Sequence, residues 1–118
     1  MQDRPAIKTA IPKRRYQVGD HTASLLGEIE SGDSRFYRYI LALVPPAQRE
    51  PVLYVCAEQT PAAERADGAY RLRVVSALMS EVVDTNDCWG DLETFAEQAI
   101  KLGRQMLGLQ QAPVVRQL

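Results

Sequence analysis

The chain has 118 residues, of which 46% are hydrophobic and 25% charged, with only 7 glycines and 7 prolines. That is the composition of one globular domain, and it excludes a disordered, collagen-like or low-complexity chain. The formal net charge is −1, so no global field draws in nucleic acid or an anionic membrane, and no apolar run approaches the roughly 18 residues of a membrane-spanning helix.

Residues 1–15 are a basic stretch. Arg4, Lys8, Lys13, Arg14 and Arg15 oppose only Asp3, whereas the rest of the chain is net acidic. Pro5 and Pro12 interrupt the stretch and it has no apolar period, so it reads as a flexible arm preceding a single domain over 16–110. The start, MQDRPAIKTAIPKRRY, lacks the apolar core of a secretory signal. With only Cys56 and Cys88 there is no disulfide framework, and the expected setting is the reducing cytoplasm.

From Arg14 the period is mostly two. Arg14–Val18 reads as a short first strand, Gly19-Asp20 as a turn and Thr22–Glu30 as a second strand. The cluster Ser31-Gly32-Asp33-Ser34 predicts a hairpin into Arg35–Val44 (RFYRYILALV), the strongest strand pattern in the chain. Pro45-Pro46 ends it, and Val52–Glu58 follows as a strand with Pro51 at its entry. Residues 60–68 read as a loop or a single helical turn. Tyr70–Asp84 suits one long strand bent near Ser76 or Ser80, with a helical stretch over 76–83 as the alternative.

The period changes at Asp91. Leu92, Phe95, Ala96, Ala99, Leu102 and Met106 recur in steps of three and four, which predicts a helix over Asp91–Leu109. Asp87 or Asp91 suits its cap and Gly108 its stop. Residues 111–118 read as a C-terminal tail. The fold class is therefore α+β: an antiparallel sheet of about five meander strands with one C-terminal helix packed on one face.

Three strands carry apolar residues on both faces, as strands do when both sides are covered. One helix covers one face. Leaving the other wet would forfeit about 1.5–3 kcal/mol for each large side chain, against a total stability of about 5–15 kcal/mol. A second copy of the chain, a sheet curled on itself or an apolar ligand would each solve this, in that order of preference. The strand phasing puts Tyr37, Tyr39, Tyr54 and Leu41 on a face covered by the partner copy.

Signals of catalysis are few. The single histidine, His21, sits in a Gly-Asp-His-Thr turn beside Asp20, and one histidine excludes a His-rich metal site. The acids from Asp84 to Glu93 fail a calcium loop, since position 6 is Trp89 and position 12 is Phe95. Phosphate-loop and serine-elbow motifs do not occur. Cys56 lies in an apolar strand pattern as an inert thiol. Cys88 is near a helix start, where a thiolate can be stabilised. Trp89 falls at the joint between sheet and helix, where it would plug the core.

The expected function is a non-catalytic protein-binding domain, an adaptor or small chaperone, acting as a homodimer with an unidentified protein partner and without a cofactor. The candidate face is basic and aromatic: Arg35, Tyr37, Arg38, Tyr39, Tyr54, Tyr70, Arg71 and Arg73. Rings interleaved with arginines also suit single-stranded nucleic acid, by stacking on the rings and pairing with phosphates. That reading and a small apolar ligand are the two alternatives.

Overall fold

Gly19 and Asp20 join the first two strands, with Val18 facing His21 directly across them. Gly19 takes φ +58°, the left-handed value that a two-residue hairpin turn asks of its first central residue and that glycine adopts without strain. The computed structural model describes residues 1–117. Its chain runs β1 (Ile7–Val18), β2 (His21–Ser31), β3 (Tyr37–Val44), β4 (Leu53–Gln59), β5 (Tyr70–Ser76), β6 (Ser80–Thr85), α1 (Leu92–Met106) and β7 (Val114–Arg116). The seven strands form one antiparallel sheet in the order β6-β5-β4-β3-β2-β1-β7. This is the expected α+β meander with a C-terminal helix on one face, built with more strands than the five expected.

Three departures account for the larger sheet, one lengthening a strand and two adding one each. Residues 7–15, expected in the arm, form most of β1. Only the inner end of β1 has neighbours on both sides: β7 pairs with Tyr16–Val18 alone. At Pro12 the strand is an edge, where a missing backbone donor costs no ladder bond. The tail contributes β7, all of whose residues are exposed. It has no apolar period because backbone pairing with β1 holds it, reinforced by Gln117 donating its N–H to the Arg15 carbonyl at 2.7 Å. Leu118 lies outside the described residues. Finally, Tyr70–Asp84 is two strands. Ser76 donates its N–H to the Met79 carbonyl at 2.8 Å, closing a tight turn, and β6 folds back on β5.

Two cores result. The larger lies between the sheet and α1 and contains Leu25, Leu41, Leu43, Val55, Val74 and Phe95. The helix starts on its predicted cap: Asp91 accepts the Thr94 N–H at 3.0 Å. It ends in a Schellman closure, with Leu109 N–H to the Arg104 carbonyl at 2.7 Å and Gly108 in the left-handed region at φ +67°. Gly103 faces Leu43, and a Cβ there would come within 3.0 Å of the leucine, so helix and sheet are in close contact. Phe95 stacks on Tyr39 with ring centroids 5.5 Å apart. Trp89 is buried in this core as expected, and donates its indole N–H to Asp84 at 3.0 Å.

The smaller core lies on the opposite face: Tyr37, Ile40, Ala42, Tyr54, Cys56 and Val75. It is buried within the single chain. Met1, Ile7 and Ile29 pack against it, brought there by the N-terminal residues and by the outer end of the β1–β2 hairpin. That outer end extends beyond the part of β2 paired with β3, which covers only Thr22–Leu26. Three register shifts interrupt it, and Glu28 sits at φ +47°. Bulges bend a ribbon and tighten its twist, and this one turns over the second face. The chain thus curls over the face that the sequence assigned to a partner copy.

The assumed phasing is corrected. Tyr37 pairs with Glu58 and Tyr39 with Ala57, so Arg38 is an extra residue in β3. The bulge places Tyr39 under the helix and Tyr37 on the opposite face. Leu41 pairs with Val55 and Ala42 with Tyr54, so Tyr54 joins Tyr37, and Leu41 joins Tyr39. No helix among the described residues is long and apolar enough to cross a membrane.

Candidate functional site

The eight candidate residues do not form one surface. Tyr37, Tyr39 and Tyr54 are each at most 7% exposed, divided between the two cores. Rings held this way present no stacking platform to a base. Tyr70 is half-buried against the helix-side core. Arg38 lies over the Tyr39 ring, 5.0 Å from its centroid, and donates to the Gly90 carbonyl at 3.4 Å. Burial pushes the Tyr37 hydroxyl far above its ordinary pKa, and that hydroxyl donates to Asp33 at 2.9 Å.

Three of the arginines do converge. Arg35 precedes β3, and Arg71 and Arg73 alternate along β5 on the face opposite the helix. Glu58, at the end of β4, is only 3% exposed. Arg73 donates to both its oxygens, with contacts of 3.0–3.1 Å from Nε and Nη2. Arg35 approaches Glu58 at 3.6 Å and donates to Asp3 at 2.8 Å. Arg71 pairs with Glu64 at 3.1 Å. Asp3 also accepts the Ser80 hydroxyl. The hydrogen bond from Arg35, then that from Ser80, holds the Asp3 carboxyl below the usual carboxylate range.

Arg35, Arg71, Arg73 and Glu58 wall an open cleft of about 460 Å³. Its remaining walls include Phe36, Thr60, Pro61 and Arg65. Thr60 and Arg65 come from the segment leading through a short 3₁₀ helix, Ala62–Asp67, which sequence reasoning read only as a loop or helical turn. Arg65 donates its Nε–H to the Thr60 carbonyl at 2.9 Å. Thr60 is fully buried, yet its hydroxyl has no hydrogen-bond partner among the described residues. Phe36 is 74% exposed. The alternation of Arg71 and Arg73 with apolar neighbours, facing Glu58 across the ladder, was the signal available in the sequence. Thr60 and Arg65 carried none.

A second unfilled feature is the sheet edge at β6. Val82 and Val83 are exposed, flanked by Glu81 and Asp84, and Leu78 at the hairpin tip is 96% exposed. At the other edge, Val114 and Val115 of β7 are exposed as well.

Other candidates are structural in this arrangement. Cys56 is fully buried, and desolvation raises its thiol pKa strongly. The Cys88 thiol is also pushed up, first by desolvation and then by Asp84, the reverse of an activated thiolate. His21 Nδ1 lies 2.8 Å from Asp20. Among the described residues no three His, Cys, Asp or Glu side chains are grouped to hold a metal ion. Comparison with family models, curated proteins and solved structures finds no match.

Proposed function

We propose that this chain is a non-catalytic protein-binding domain that receives an extended, basic segment of a partner protein along β6. The observation that supports this reading is the edge itself. A terminal strand carries unpaired backbone donors and acceptors, and an added strand satisfies them. Exposed Val82 and Val83 supply apolar contact, and Glu81 and Asp84 supply charge that selects lysine or arginine. Both sheet faces are closed within one chain, so the argument for a face-to-face homodimer no longer applies. Pairing β6 with its own copy would bring two acidic strands together, which disfavours self-association there. The two free cysteines suit a reducing, cytoplasmic setting.

The test is an NMR titration of the full chain with a fluorescein-free Lys-Val-Thr-Val-Lys-Val peptide. Amide shifts and new exchange protection along Ser80–Thr85, abolished by Val83→Glu, would support the reading. Shifts elsewhere, or a β6 edge already occupied by a second copy in sedimentation and cross-linking, would overturn it. The buried tyrosines favour this reading over single-stranded nucleic acid.

A further inference from the structure

We infer that the arginine-lined cleft on the face opposite α1 binds a monocarboxylate carried on an apolar body. The charge count comes first. Arg35, Arg65, Arg71 and Arg73 line the cleft. Asp3, Glu58 and Glu64 answer three of them, through contacts to Arg35, Arg73 and Arg71 respectively. Arg65 has no carboxylate partner among the described residues; its Nε–H goes to the Thr60 carbonyl. One positive charge is left over. A singly charged ligand balances it, whereas a phosphate dianion would leave the site net negative. A planar carboxylate also matches the donor fork of a guanidinium.

The second observation is Thr60. A fully buried hydroxyl without a partner among the described residues is an exception among folded proteins, and a turn of the Thr60 side chain toward a bound carboxylate would remove the penalty. It lies in the wall of the same cleft, beside Arg65. The third observation is the apolar side of the site. Phe36 is largely exposed at the cleft, with Pro61 and Ala62 nearby in its lining. A cleft of about 460 Å³ falls inside the range of small-ligand sites, roughly 300–1,000 Å³. Polar groups that fix a charged end and an apolar wall for the remainder are the usual division of labour in such sites.

The same chemistry is offered by a small organic acid and by the C-terminal residue of a peptide. The experiment separates them. N-acetylphenylalanine and an N-acetylated pentapeptide ending in phenylalanine are titrated into the full chain, each as the free acid and as the amide, with inorganic phosphate as a further probe. The readouts are calorimetry and NMR shifts of the Thr60 amide and the Arg65 Nε–H.

Both acids should shift the cleft resonances and their amides should not. Arg65→Gln should weaken the acids by about tenfold or more, as expected for loss of a charge-assisted contact. Arg65 is exposed, so this variant keeps its fold, which the unchanged remainder of the spectrum verifies. Equal affinity of the two acids identifies a small organic acid, and a large preference for the pentapeptide identifies a chain terminus. Amides binding as well as acids, phosphate binding more tightly than either, or Arg65→Gln leaving affinity unchanged would each overturn the assignment. Because the shifts expected here are at Thr60 and Arg65 and not along β6, failure of this site and failure of the strand-addition reading are separately visible.

Discussion

Arg14 of β1 and Glu93 in the first turn of α1 form an ion pair between residues 79 apart in sequence, with Arg14 Nη1 donating to Glu93 at 3.0 Å. Arg14 is 7% exposed although the sequence places it in a basic arm. Its second terminal nitrogen also donates to Glu93, and Nη1 lies 3.4 Å from the Tyr16 hydroxyl. The pair fastens the helix N-terminus to the strand that carries the chain's curl. Glu93 is also favoured by its position at the positive end of the helix.

Arg14→Ala should therefore lower stability by about 1–3 kcal/mol, through lost packing of a buried aliphatic stem as well as the lost pair. Glu93→Gln should cost clearly less, because it keeps the stem covered and an acceptor in place. Urea midpoints of the two variants measure the difference. Equal losses would mean that the charge, and not the packing, governs the contact.

Gly68 follows the 3₁₀ helix at φ +146°, a conformation side chains rarely adopt. A Cβ there would meet the Asn86 backbone at 2.6–2.9 Å. Backbone cannot swing away as a side-chain tip can. Gly68→Ala should destabilise the domain by about 3 kcal/mol or more, and Gly108→Ala, with open space around it, by less. Thermal melts of the two variants, compared at equal concentration, check the order.

The N-terminal residues are held by two carboxylates. Asp3 binds Arg35 and Ser80, and Asp33 accepts the Ala6 N–H at 3.0 Å. Burial pushes the Asp33 carboxyl up, but hydrogen bonds from the Ala6 and Arg35 amides and the Tyr37 hydroxyl outweigh it, and the net shift is downward. A carboxyl with a lowered folded pKa contributes stability that is fully present above its unfolded value, about 4, and is lost as pH falls through the folded value. Acidification from pH 5 towards 2 should loosen these residues. Side-chain methyl shifts of Met1 and Ile7 should change before the fluorescence of Trp89, which lies in the other core. Simultaneous change in both would show that the two cores melt as one.

Legibility in the sequence followed how much of each element faces the core. The helix was visible because one stripe is buried and its ends carry Asp91 and Gly108. The central strands were visible from Leu41, Val55 and Val74. The outer part of β1 and all of β7 were not, because β7 is exposed, the outer part of β1 buries little beyond Ile7, and both are held by backbone pairing, which leaves no mark on residue type. Ser76–Ser80 concealed a turn because it contains neither glycine nor proline. The cleft was half legible: Arg35, Arg71 and Arg73 were singled out, but as partners of tyrosines that are buried elsewhere. Its other half, Thr60 and Arg65, depends on the return of the chain after β4.

The extra residue in β3 also sets how that strand tolerates changes of length. Tyr37 already faces Glu58 as it would in an uninterrupted ladder ending at Tyr39 and Ala57. Excising Arg38 would leave every tyrosine in its present layer, whereas excising Ile40 or Ala42 would turn everything before it inside out. A scan of single-codon deletions across 37–44 should find its one survivable gap at position 38.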